Sequence, residues 1–152
     1  LLIGESAGCT LAVLTLLALR DSGALGDDFA GTALAYGLYD VSGGPSQRLD
    51  AGALAVFNDA QRLVYPDLTV AERRVPSISP LYADLSSLPP ALFSVGTNDA
   101  LIDDTLFMYE RWTAAGKEIG ESEVYLAGGT DVSVTGHRYV AKAVGGCSQR
   151  RP

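Results

Sequence analysis

The sequence predicts an α/β fold, a mostly parallel sheet with flanking helices. Compact apolar runs of strand length alternate with helical patterns along the chain, and that alternation is how parallel sheets are built. The 152 residues are 47% hydrophobic and only 19% charged, enough apolar material for the core of one domain. Three chemically capable residues, Ser6, Asp99 and His137, each follow a predicted strand. Sites in open parallel sheets form beyond the carboxyl ends of the strands.

The elements follow in order. Leu1 to Ile3 reads as an apolar strand, and Gly4-Glu5-Ser6-Ala7-Gly8 is the turn after it. A serine between two glycines, with a strand before and a helix after, is the nucleophile-elbow arrangement. So tight a turn brings neighbouring backbone against its side chains, and glycine is expected at both flanking positions. From Ala7 to Arg20 the pattern is apolar nearly all round, as in a helix buried on more than one side. Arg20 suits the negative end of that helix, and Gly23 supplies a left-handed stop.

Gly31 to Tyr39 reads as a buried strand closed by Asp40 and a Ser-Gly-Gly-Pro turn. Ala51 to Tyr65 looks helical, with Leu54, Phe57, Gln61 and Val64 on one face, and prolines punctuate the chain at 66, 76 and 80. Residues 45–75 are therefore a candidate cap or insertion segment over a site, with an ordinary long connection as the alternative. Pro89-Pro90 precede the strand Ala91 to Val95, which ends at Gly96-Thr97-Asn98-Asp99. Asp103 or Asp104 is expected to cap the helix that follows, which stops at Gly116-Lys117. A last strand, Glu123 to Leu126, leads to Gly128-Gly129, and Val140, Ala141 and Val144 mark a closing helix.

Composition excludes several functions. A net charge of −7 repels nucleic-acid phosphates and anionic membrane surfaces alike. The apolar stretch Ala7 to Leu19 is too short to span a bilayer. Cys9 and Cys147 are far apart, and a single histidine argues against a zinc site, so no metal and no cofactor is expected. Cys9 reads as a small core residue. The chain does not begin with Met and opens inside a strand, so an upstream part, including any signal peptide, is expected to be missing. The compartment is open, with the cytoplasm as the default expectation; oligomeric state is also open.

Ser6, Asp99 and His137 occur in the chain order given by the α/β-hydrolase fold. A serine hydroxyl needs an imidazole to take its proton, and a carboxylate to hold that imidazole in the right tautomer. The Ala7 N–H points to where an oxyanion forms. Four stretches carry a family resemblance: residues 4–8; Tyr-Gly-Leu-Tyr-Asp at 36–40; Ser-Pro-Leu-Tyr-Ala-Asp-Leu at 79–85; and Leu88-Pro89-Pro90 through Gly-Thr-Asn-Asp at 96–99 to Asp103-Asp104. Together they cover roughly residues 1 to 126. The chain resembles the downstream half of a bacterial esterase/lipase of the hormone-sensitive lipase family.

That resemblance implies a partial α/β-hydrolase fold over residues 1–152 and hydrolysis of small or short-chain carboxylic esters through an acyl-enzyme. It carries the nucleophile onto Ser6 and the acid onto Asp99, and leaves Asp103 and Asp104 as helix-start residues. Two departures stand out. The family's His-Gly-Gly oxyanion loop and the strands beside the elbow strand are absent, which leaves that strand as an apolar edge. The family's ending runs Tyr-Pro-Gly-Gly-x-His-Gly-Phe, and here Thr130 falls at the histidine position, seven residues before His137. Either a lengthened loop delivers His137 to Ser6 as general base, or His137 is a surface residue near the last helix. The second case is a non-catalytic small-molecule-binding protein on the same fold, for which the plant gibberellin receptors of this family are the precedent. An inactive fragment is the third reading.

Overall fold

The computed structural model describes residues 1–26, 29–49 and 51–116, and the backbone of two further strands at 123–127 and 139–141. In chain order the elements are β1 (Leu2–Glu5), α1 (Ala7–Asp21), β2 (Thr32–Ala35), α2 (Pro45–Leu49), α3 (Ala51–Val64), α4 (Val70–Arg73), a 3₁₀ turn (Pro80–Tyr82), β3 (Ala91–Gly96), α5 (Ile102–Ala115), β4 (Glu123–Ala127) and β5 (Tyr139–Ala141). The sheet order is β1-β2-β3-β4-β5. The first three pairings are parallel and the last is antiparallel.

Helices α1 and α5 pack on one face of this sheet. Cys9, Val13 and Leu16 of α1 and Met108, Tyr109 and Trp112 of α5 join Leu34 and Phe93 in a single buried cluster. Phe93 stands at its centre, with Tyr39, Tyr109 and Trp112 edge-on at centroid distances of 6.3, 6.1 and 5.7 Å. Such edge-to-face geometry sets positive ring edges against negative faces. The Trp112 indole N–H donates to the Pro89 carbonyl at 3.0 Å, so its one polar atom is satisfied inside the core.

On the opposite face, apolar side chains stand exposed among the described residues. Ile3, Ala33 and Leu92 are in register across β1, β2 and β3; Ile3 is 70% exposed and Leu92 42%. Parallel sheets ordinarily have both faces covered. β1 is also the edge strand.

Where sequence and structure differ, local hydrogen bonding gives the reason. The strand predicted over Gly31–Tyr39 stops at Ala35: Tyr36 turns out with φ 38°, and its neighbour Leu38 donates to the Ser6 carbonyl instead of a ladder. The predicted closing helix is, over Tyr139–Ala141, strand β5, with Tyr139 opposite Leu126. Three apolar positions are too few to fix a period, and a neighbouring edge offered by β4 decides the matter. Val144 lies outside the described residues. The start of α5 is also not capped as predicted. Its N-cap position is Leu101, with no side-chain cap, and both aspartates look elsewhere, as described below.

Candidate active site

Ser6 occupies a tight bend between β1 and α1, at φ 50° and ψ −124°. This region is costly for a residue with a Cβ, on the order of 1–3 kcal/mol. Backbone bonds impose it: Ser6 N–H donates to the Ala35 carbonyl at 3.0 Å, and the Ser6 carbonyl accepts from Cys9 and Leu38 N–H at 3.1 and 3.2 Å. Gly4 is required beside it, because a Cβ there would lie 2.7 Å from the Gly8 carbonyl oxygen. Gly8, expected to be equally constrained, has open space where its Cβ would point. The Ser6 side chain is exposed.

Ala7 is the first residue of α1, so its N–H has no intrahelical acceptor and sits at the positive end of the helix. Beside it opens a cavity of about 240 Å³ with an almost wholly apolar lining, including Ala7, Leu11, Leu38, Phe57, Val64 and Tyr65. Three of these six belong to α3 or the residue after it. Gln61, also in that wall, has both polar ends engaged: its amide donates to the Val41 carbonyl at 2.5 Å and accepts from Arg73.

Asp99 lies just past β3, half-buried. Its Oδ1 accepts from Leu101 N–H at 2.8 Å, and no donor among the described residues reaches Oδ2. Ser6 and Asp99 thus share the carboxyl rim of the sheet, with the end of β2 between them. Two strand spacings, about 10 Å, separate β1 from β3. His137 lies outside the described residues. The described strand ends on either side of it in sequence, Ala127 of β4 and Tyr139 of β5, fall at that same rim.

Asp104 is the residue that sequence reasoning assigned too little. It is 1% exposed; its Oδ1 accepts from Tyr39 and Asp40 N–H at 2.8 and 2.6 Å, and its Oδ2 from the Gln47 side-chain amide at 2.8 Å. Burial pushes its carboxyl up to about 7, against the pull of the Asp40 and Tyr39 N–H groups. Asp103 accepts from Ser46 N–H at 2.7 Å. Nothing in the sequence distinguished these contacts from helix-start positions, since their partners lie more than fifty residues away. Cys9 is buried as expected, and burial raises its thiol to about 11, an inert state.

A family profile described as the alpha/beta hydrolase fold matches residues 1–126. The chain belongs to this α/β-hydrolase family. It is 31% identical over 119 residues to an acetyl-hydrolase of Streptomyces hygroscopicus, an alignment covering 78% of this chain and 40% of that protein. Among solved structures it is similar to the hormone-sensitive lipase homologue EstE7 from a metagenome library (30% identity, TM-score 0.65, 82% of this chain and 41% of that one). It is also similar to a hormone-sensitive lipase from a metagenome library (28%, TM-score 0.68, 82% and 41%). The chain therefore spans about two fifths of the length of these α/β-hydrolase relatives. Its fold is the esterase/lipase type, of which hormone-sensitive lipase homologues are structural neighbours. Among the described residues, no helix is long and apolar enough to cross a membrane, and no group of three or more His, Cys, Asp or Glu is placed to hold a metal ion.

Proposed function

We propose that this chain carries the nucleophile and acid of a serine carboxylic-ester hydrolase acting on small or short-chain esters. The observation that carries the proposal is the strained, exposed Ser6 beside both the Ala7 N–H and an apolar cavity. Ser6 Oγ attacks the ester carbonyl carbon while His137 takes its proton. Asp99 Oδ2 receives the imidazole N–H and stabilises the charged ring. The carbonyl oxygen becomes an oxyanion held by Ala7 N–H, a donor worth about 3 kcal/mol in the transition state. His137 then protonates the departing alcohol, leaving the acyl group on Ser6 with its chain in the α3-walled cavity. Water, deprotonated by the same imidazole, repeats the attack and releases the acid.

A fluorophosphonate probe tests this. The protein containing this chain is expected to gain probe mass on the Ser6 peptide, and Ser6→Ala to gain none; equal behaviour of the two contradicts the proposal.

One observation favours a second reading, a binding protein without turnover: Thr130 stands at the family's histidine position. The two differ at His137. Ester turnover lost by at least about a hundredfold in His137→Ala selects the hydrolase; saturable ligand binding with no turnover selects the binder.

A further inference from the structure

Five consecutive backbone N–H groups after β2 have named acceptors. Leu38 donates to the Ser6 carbonyl, Tyr39 and Asp40 to Asp104 Oδ1, Val41 to Ser79 Oγ at 2.8 Å, and Ser42 to Asp40 Oδ1 at 2.8 Å. The Tyr39 carbonyl in turn accepts from Leu81 N–H at 3.1 Å. This segment links α5 to the elbow, and one carboxylate oxygen holds two of its five donors.

We propose that Asp104 is a positioning residue for Ser6: its buried carboxylate gathers the Tyr39 and Asp40 N–H groups and so fixes Leu38, whose N–H holds the Ser6 carbonyl. The inference rests on Ser6 being the nucleophile. Removing the carboxylate leaves two buried N–H groups without acceptors, which is expensive, and the segment relieves that by moving. Movement at Leu38 releases one of the bonds that keep Ser6 at its positive φ. The hydroxyl then shifts relative to the Ala7 N–H.

Gln47 adds a second part to the device. It is buried, and among the described residues nothing donates to its Oε1. When Asp104 takes up a proton on Oδ2, turning the Gln47 amide over lets Oε1 accept that proton's hydrogen bond, and Oδ1 keeps both backbone donors. The clamp therefore survives protonation. Asp104 is faced by Asp40 and the Tyr39 phenol on the segment after β2, by neighbouring Asp103, and by Tyr82, Arg48 and Arg74 around a cavity of about 230 Å³. Of these, Asp40 is the charge that raises its carboxyl.

The test pairs residue-resolved hydrogen exchange with the rate of phosphonate labelling at Ser6, in the wild-type protein, D104A, D104N and D104N/Q47A. In D104A, exchange at Leu38, Tyr39 and Asp40 is expected to rise at least about tenfold while Val13 and Leu16 in the middle of α1 stay protected, and labelling to slow about tenfold or more. D104N, whose carboxamide keeps the shared oxygen and uses the turned-over Gln47, is expected within about threefold of wild type in both; D104N/Q47A, which keeps that oxygen but leaves the buried amide N–H₂ without its partner, is expected between D104N and D104A, with exchange at Leu38 raised above D104N. Should D104A fail to fold, the D104N and D104N/Q47A pair carries the same comparison. Unchanged exchange at Leu38 in D104A or D104N/Q47A overturns the proposal, as does slowed labelling without faster exchange there. If Ser6 is unlabelled even in wild type, the nucleophile reading falls, and the exchange results still decide whether Asp104 holds Leu38.

Discussion

At Ser6 the backbone is held in a conformation that a Cβ makes costly, and two predictions follow from that strain. Glycine lacks the penalty, so Ser6→Gly is expected to stabilise the fold by about 1 kcal/mol while abolishing probe labelling. A denaturant melt in which Ser6→Gly is no more stable than wild type contradicts the strain. Gly4→Ala works in the opposite sense. Its Cβ meets backbone atoms that cannot rotate away, and a loss of at least about 2 kcal/mol is expected in the same melt. Asp104 supplies a pH dependence. Its folded-state value of about 7 is raised from 3.8, so the folded protein binds this proton more tightly than the unfolded chain. The stabilisation is complete below the unfolded value and is lost as pH rises through 7. Urea melts at pH 5 and pH 8 are expected to show wild type losing roughly 2 kcal/mol relative to D104N over that interval. A constant difference refutes the shift.

Among the elements, α3 has the clearest functional consequence. It has no buried residue of its own, yet Phe57, Ala60 and Val64 line the cavity beside Ala7. Ala60→Trp fills that cavity. The expected result is a fall of about tenfold or more in kcat/KM for hexanoate esters with acetate esters within about threefold; equal losses on both show that the acyl chain lies elsewhere. This helix was legible in the sequence because Phe57, Gln61 and Val64 recur at helical spacing. So were α1, stopped by Gly23 at φ 71°, and β3, bounded by its prolines and Gly96. The end of β2 was not legible. The chain leaves the ladder after Tyr36, whose N–H still donates to Ser94 of β3, because Leu38 is claimed by Ser6, a partner thirty-two residues upstream. Strand β5 was missed for a related reason: pairing with β4 is a tertiary choice that Tyr-Val-Ala does not announce.

For the molecule as a whole, the α/β class and the shared rim of Ser6 and Asp99 were readable from strand-helix alternation and motif order. Asp104 was not, because its importance lies in backbone amides of a segment more than sixty residues away. Among the described residues the expected apolar edge strand is present, and the sheet face carrying Ile3, Ala33 and Leu92 leaves Ile3 and Leu92 exposed as well. A face and an edge of this kind favour self-association. The 152-residue chain by itself is therefore expected to bind an apolar dye such as ANS and to elute above monomer size; a dye-silent monomer contradicts this.

The central claim, that Ser6 becomes acylated, is tested most directly by mixing the protein with p-nitrophenyl butyrate, quenching in acid within the first turnovers and sequencing peptides by mass spectrometry. A butyryl group on the Ser6 peptide, absent in Ser6→Ala, is the predicted result. Nitrophenol release with no acyl group at residue 6, or with the acyl group on another side chain, contradicts it.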